Sequence, residues 1–246
     1  MMRLQKIETL EENSQNHMTE RRILWPLHAM STVLLLAVVS MPHAAAQSGL
    51  GAPVFDNERA TVWDITLTPA QPVSLGHHEN DFVALFFSGG RIRTTHADGK
   101  TSVASRNFGD AVYEPKGSDE KVEVISQAPA RLFVVELKND PARALMNKSG
   151  LPLAFPRPGA KKVLENDRIV VWNYTFTLGV PTPTHYHDKD ALIVYRYDGS
   201  ISSTTPDGQS VVSENKTGQV KFSGGDRTHF EELVKGQETV IVTEFK

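Results

Sequence analysis

The stretch Gly179-Val180-Pro181-Thr182-Pro183-Thr184-His185-Tyr186-His187 carries two histidines one residue apart. Its prolines favour extended backbone. In a strand, residues i and i+2 point to the same face, so His185 and His187 face the same way. Two imidazoles a few ångströms apart make half a metal site. A pair of surface histidines near a strand end is the competing reading. The rest of the chain decides between them.

Shifted by 109 residues, the sequence overlays itself. Asn57, Arg59, Val62 and Trp63 fall on Asn166, Arg168, Val171 and Trp172. Pro72 falls on Pro181, His78 on His187 and Asp81 on Asp190. Gly90, Asp98-Gly99 and Gly109 fall on Gly199, Asp207-Gly208 and Gly218. No gap is needed from Asn57 to Glu120, so the chain holds two copies of one unit. Each copy reads as short β-rich runs, such as residues 61–67, 82–87, 169–176 and 192–197, separated by turn pairs such as Gly89-Gly90 and Asp198-Gly199. The expected class is all-β, a sandwich or small barrel in each copy. The one helical segment expected is the connector at residues 141–148, with Asp140 as N-cap and Ser149-Gly150 beyond its end. A proline-rich run then leads into the second copy.

Residues 1–46 read as a leader. Arg21-Arg22 precedes an apolar run at residues 23–41, and Ala44-Ala45-Ala46 offers a cleavage site before Gln47. That order is a secretory signal peptide of Sec type, with Met18 rather than Met1 as the natural start. The apolar core is too short and interrupted for a membrane span, and an uncleaved anchor is the alternative. The expected location is periplasmic or secreted. Removing the leader leaves 200 residues, and because the leader is charge-balanced the net charge stays at −3. No basic block appears, which argues against nucleic acid as a partner. The chain has no cysteine, so any metal must be held by His and carboxylates.

The pattern resembles the cupin superfamily, small jelly-roll β-barrels. The first cupin motif, a glycine, five residues and His-x-His, is met by Gly179, His185 and His187, with Gly199 as its closing glycine. The second motif is met by Gly218 and His229, although Gly224 stands where proline is expected and Asp226 where glycine is expected. The first copy inverts this. Gly109, Pro115 and Gly117 match the second motif, Glu120 replaces its histidine, and Gly76 and His78 stand in for His185 and His187. The resemblance implies a bicupin: two tandem jelly-roll barrels at residues 47–138 and 163–246, joined by a helical and proline-rich linker at 139–162. It implies His229 as third ligand beside His185 and His187. It places the usual motif-one glutamate at Leu192, or Val83 in the first copy, so that a fourth protein ligand is missing.

The positions expected to point into the second barrel are His185, His187, Leu192, Arg196, His229 and Glu231. Their first-copy partners (Gly76, His78, Val83, Phe87, Glu120 and Val122) cannot assemble three imidazoles. One divalent metal is therefore expected in the second copy, iron first, with Mn, Zn, Ni or Cu as alternatives. Arg196 is the expected substrate-binding residue, and Glu231 or Asp190 the proton-transfer group. Asp190 also reads as a brace for its turn, since Asp81 repeats it in a copy without the ligands. His96 is expected to be exposed. The implied function is a three-His metal-dependent, oxygenase-like enzyme on a small organic substrate, possible as a homo-oligomer. The alternative is a non-catalytic periplasmic binding or accessory bicupin.

Overall fold

The computed structural model describes residues 50–138 and 145–246. The leader with its cleavage site, Asp140 and the first four residues of the expected helix lie outside the described residues. Residues 145–148, the rest of that segment, are not helical, and no helix forms among the described residues. None is therefore long and apolar enough to cross a membrane.

The first copy contributes β1 (Phe55–Asp56), β2 (Ala60–Leu67), β3 (Val73–His77), β4 (Phe82–Phe86), β5 (Gly90–Thr95), β6 (Thr101–Arg106), β7 (Ala111–Glu114), β8 (Asp119–Val124) and β9 (Ala130–Leu137). The second contributes β10 (Lys161–Glu165), β11 (Ile169–Thr175), β12 (His185–His187), β13 (Ala191–Tyr195), β14 (Gly199–Thr204), β15 (Ser210–Asn215), β16 (Val220–Ser223), β17 (Arg227–Gly236) and β18 (Thr239–Phe245). Each copy folds into two antiparallel sheets. The five-stranded sheets run β1-β2-β9-β4-β7 and β10-β11-β18-β13-β16; the four-stranded ones run β3-β8-β5-β6 and β12-β17-β14-β15. The fold is all-β, with two tandem jelly rolls. Hydrogen bonds repeat in the 109-residue register: Gly109 N donates to Phe86 O as Gly218 N does to Tyr195 O, each at 2.8 Å.

Three apolar clusters hold this together. One fills the first copy between its sheets, where Leu67, Phe82 and Leu132 meet Leu75, Ile92 and Val124. One fills the second, where Val170, Trp172 and Val242 meet Ile201 and Leu233. The third lies between the copies. Val62, Val83, Leu85 and Phe133 of one five-stranded sheet pack on Val171, Leu192, Val194 and Ile241 of the other. The five-stranded sheets are thus covered on both faces, which explains why β4 and β18 are buried at every residue.

The interface between copies is reciprocal. Arg168 Nη1 pairs with Asp81 Oδ2 at 2.6 Å, and Arg59 Nε with Asp190 Oδ2 at 3.4 Å. These are the same two positions of the repeat, exchanged. Each aspartate also accepts a backbone N–H at matching places, from Lys116 to Asp81 and from Gly225 to Asp190. The repeat glycines sit at this seam too. Both have positive φ, and a Cβ would lie 2.0 Å from Asn173 Nδ2 at Gly109 and 2.2 Å from Arg131 Nη2 at Gly218.

The two ion pairs differ in burial. The Arg59 and Asp190 side chains are 6% and 7% exposed, against 28% and 16% for Arg168 and Asp81. Removing one partner of a buried pair strands the other charge. Arg59→Met is expected to lower stability by about 3–5 kcal/mol, and Arg168→Met by about 1 kcal/mol. Urea denaturation of both variants measures the difference; equal losses would refute the ranking.

Candidate metal centre

Strand β12 pairs with β17 so that His185 lies opposite His229 and His187 opposite Arg227. Directly opposed residues share a face of the sheet, which brings all three imidazoles to one point. His187 Nε2 lies 3.1 Å from His185 Nε2 and 2.9 Å from His229 Nε2. All three side chains are buried. They form the one group of three or more metal-capable side chains found among the described residues.

The surroundings fix how these rings point. His185 Nδ1 lies 2.8 Å from Pro183 O, which can only accept, so the proton is on Nδ1 and the Nε2 lone pair faces the other two rings. His229 Nδ1 is held 2.8 Å from Ser203 Oγ. With His185 Nε2 bare, at most one of the two short Nε2 contacts can be a hydrogen bond between neutral rings. A divalent cation accepts a lone pair from every ring at once. The spacing suits one, because three nitrogens about 2.1 Å from an ion at near right angles stand about 3 Å apart. Burial also keeps the rings neutral and ready to ligate. It lowers all three pKa values, that of His187 strongly and that of His229 to about 4.

Glu231 completes the centre from two residues beyond His229. Its carboxylate oxygens lie 3.9 Å from His185 Nε2 and from His229 Nε2, farther than the rings lie from His187. The carboxylate therefore faces the triad from outside it. Burial alone would raise its pKa, but the Arg157 guanidinium beside it brings it below the usual range, so it is an anion. Arg157 Nη1 donates to Glu231 Oε2 at 3.1 Å. Thr182 Oγ1 accepts the Glu231 N–H at 2.9 Å. The Thr182-Pro183 approach thus braces both a ligand and the carboxylate.

The centre opens into a cavity of about 180 Å³ inside the second barrel. The corresponding space in the first barrel is about 40 Å³. Phe82 accounts for part of the difference. Its ring lies 4.3 Å from that of His78, while the equivalent residue Ala191 leaves the wall beside His187 open. Glu120 is buried and takes a 2.6 Å bond from His96 Nδ1. The His96 side chain stays 41% exposed, as expected, while its Nδ1 is engaged with Glu120. His78 and Glu120 belong to no group of three potential ligands.

Two expectations fail for one reason. On β13, Ala191, Ile193 and Tyr195 line the cavity, whereas Leu192 and Val194 face the other copy. Side-chain faces alternate, so a one-residue error in phase turns every assignment around. Leu192 lies in the core between the copies and not at the centre. Arg196 shares its phase and does not reach the cavity; its guanidinium lies 3.9 Å over the Phe108 ring of the first copy. Asp190 likewise turns away, to Arg59 and Gly225. Three cationic residues were missed. Arg227 precedes His229 by two residues on the same strand face, a signal the alternation rule contains. Lys221 comes from β16. Arg157 comes from the proline-rich segment, read as linker, where Phe155 stacks on Trp172 and Arg157 Nε donates to Ala154 O.

A further buried acid was missed near the cavity. Glu238 Oε1 accepts backbone N–H bonds from Arg196, Tyr197 and Thr239, yet burial raises its pKa to about 7. The unfolded value is lower, so its protonated form contributes stability below about pH 4.5 that is lost as pH rises through about 7. Glu238→Gln is expected to remove this slope, so that the gap between variant and wild type moves in favour of the variant from pH 5 to pH 8.5. Denaturation series at both pH values check it. The phase of β13 has its own test. Ala191→Glu offers a carboxylate to the cavity and is expected to tighten divalent-metal binding about tenfold or more in chelator competition. Leu192→Glu buries a charge in the core between copies and is expected to unfold the protein.

No protein-family profile matches the sequence, and no curated protein does. Solved structures do resemble it. A cupin 2 conserved barrel domain protein from Leptotrichia buccalis aligns over 79% of this chain and 87% of its own, at 13% identity and a TM-score of 0.46. A deletion variant of Bacillus subtilis oxalate decarboxylase aligns over 77% of this chain and 69% of its own, at 14% identity and a TM-score of 0.57. The same enzyme, studied for its Mn(II) centres, gives 14% identity and a TM-score of 0.54 over the same shares. The likeness is one of fold: the chain has the architecture of a two-barrel cupin.

Proposed function

We propose that this chain is a metal-dependent enzyme of cupin fold acting on a small organic substrate, with His185, His187 and His229 holding one divalent ion. The observation that carries the reading is the convergence of three buried Nε2 atoms beside an ionised carboxylate and a cavity. A bound ion there supplies Lewis acidity and, as iron, redox chemistry with dioxygen. Iron remains the expected ion, although the oxalate decarboxylase neighbour is described with Mn(II).

The chain's own groups then have distinct tasks. Pro183 O and Ser203 Oγ orient two of the imidazoles. Glu231, held ionised by Arg157, accepts a proton from a group bound next to the triad. Phe155 and Tyr174 form one wall of the cavity and support Arg157 by cation–π contacts of 4.3 and 4.8 Å. We also propose export through the leader, with residues 47–246 as the mature protein and the barrels assigned to 47–138 and, so as to include the whole of β10, 161–246 rather than 163–246. A second reading has support in Ala191. Without a carboxylate at that place the cavity suits a non-catalytic periplasmic binding or accessory protein.

Metal analysis of untagged protein tests the proposal. About one equivalent of divalent metal is expected, and His229→Ala should lose it. No stoichiometric metal, or metal content unchanged in the variant, would overturn the site. With metal present, oxygen consumption or product formation on a panel of small organic acids separates enzyme from binder. Glu231→Gln is then expected to retain the metal and lower turnover by about 10²-fold or more.

A further inference from the structure

We propose that the second-copy cavity binds a small carboxylate, received by Arg227 and Lys221, with the body of the molecule against an apolar wall. The inference deepens the proposed function by naming a substrate class for the same cavity, and its orientation toward the triad rests on that reading.

Arg227 carries the argument. It projects from the same face of β17 as His229 and Glu231 and lines the cavity. Among the described residues its guanidinium makes no hydrogen bond and no ion pair, and its Nε is buried without a partner. A half-buried guanidinium whose Nε is cut off from water and has no partner is unfavourable unless something else satisfies it. Lys221 lines the same cavity. Its Nζ donates to Asn215 Oδ1 at 2.7 Å and reaches Glu214 O at 3.5 Å, and meets no carboxylate. Arg157 is already paired with Glu231. The lining therefore holds three cations and one anion before any metal adds charge.

Other acids nearby do not close the gap. Glu244 accepts from Trp172 Nε1 at 2.9 Å and burial raises its pKa. Glu238 binds backbone N–H groups, and its pKa is likewise raised. Neither lines the cavity. The first copy is a control within the same chain. Where the second copy has Lys221, Arg227 and Glu231, it has Val112, Ser118 and Val122. At these three positions the charged residues occur only in the copy that has the three imidazoles.

The rest of the lining sets the size and shape. The cavity of about 180 Å³ is smaller than the ~300–1,000 Å³ of pockets for drug-sized ligands. Phe176, Ile193, Val240 and Val242 give it an apolar wall. An anionic head with a compact apolar body fits both features. A planar carboxylate also matches the guanidinium fork, which takes it through two parallel hydrogen bonds.

The test is calorimetric titration with benzoate, its neutral twin benzamide, acetate, succinate and sulfate. It is run on metal-loaded protein and on protein dialysed free of metal. A carboxylate is expected to bind both forms, and benzamide about tenfold or more weaker than benzoate. Arg227→Gln should weaken benzoate about 10- to 100-fold. Lys221→Met, a less buried position, should weaken it by a smaller factor. Circular dichroism and the melting point without ligand establish that each variant is folded. The inference is overturned if benzamide or sulfate binds as well as benzoate, if no carboxylate binds, or if both folded variants bind like wild type. Stoichiometric metal without carboxylate preference sinks this inference alone. Carboxylate binding by a protein that takes up no metal sinks the metal reading alone.

Discussion

The structure depends on burying both faces of its two five-stranded sheets. One face of each closes its own barrel, and the other packs against its counterpart. Apolar burial contributes about 25 cal/mol per Å², so a sheet covered twice is the strongest element of such a chain. This constraint leaves little freedom for polar chemistry in β13 and β18, whose residues are required for packing. The ligands accordingly come from the four-stranded sheet, on β12 and β17, and the segment that runs up to β12 braces them. The five-stranded sheet contributes space, at Ala191, and one cation, Lys221, from its edge strand β16.

Two copies built on one plan have divided the work. In the first, Phe82 and Val122 pack the interior and Glu120 is tied to His96. In the second, small and charged residues at the same places open a cavity and supply its ligands. The first copy covers the second along a whole sheet, and its Arg59 buttresses Asp190 at the end of the ligand loop. Asp190 in turn holds the Gly225 N–H, two residues before Arg227. The centre is thus braced by a residue of the copy that has no centre.

Much of this was legible in the sequence because repeats and strand alternation are local. The 109-residue register gave the turns, the glycines and the equivalence of Trp63 with Trp172. The His-x-His spacing put His185 and His187 on one face, and the same parity joins His229 to Glu231. What was not legible depended on phase and on distance along the chain. Nothing in residues 191–197 alone says which alternate set faces the cavity, since both faces of that strand are buried and both sets are apolar. Arg196 and Leu192 were lost to that ambiguity. Arg157 was hidden for another reason: it sits in a segment without regular structure, and only the fold brings it beside a residue 74 positions later. Asp81 and Asp190 were visible as a repeated pair, but a partner in the opposite copy cannot be read from spacing.

The exchanged pairing of Arg59 with Asp190 and Arg168 with Asp81 has a wider meaning. Each copy carries both the donor and the acceptor of the lock that joins them. Such a surface is self-complementary, the hallmark of a twofold homodimer, here built into one polypeptide. Fusion frees the two halves from having to stay identical. A homodimer must change both of its sites at once; a tandem chain can let one half keep the chemistry while the other becomes its wall. The divergence of Glu120 from His229, and of Phe82 from Ala191, is the record of that freedom.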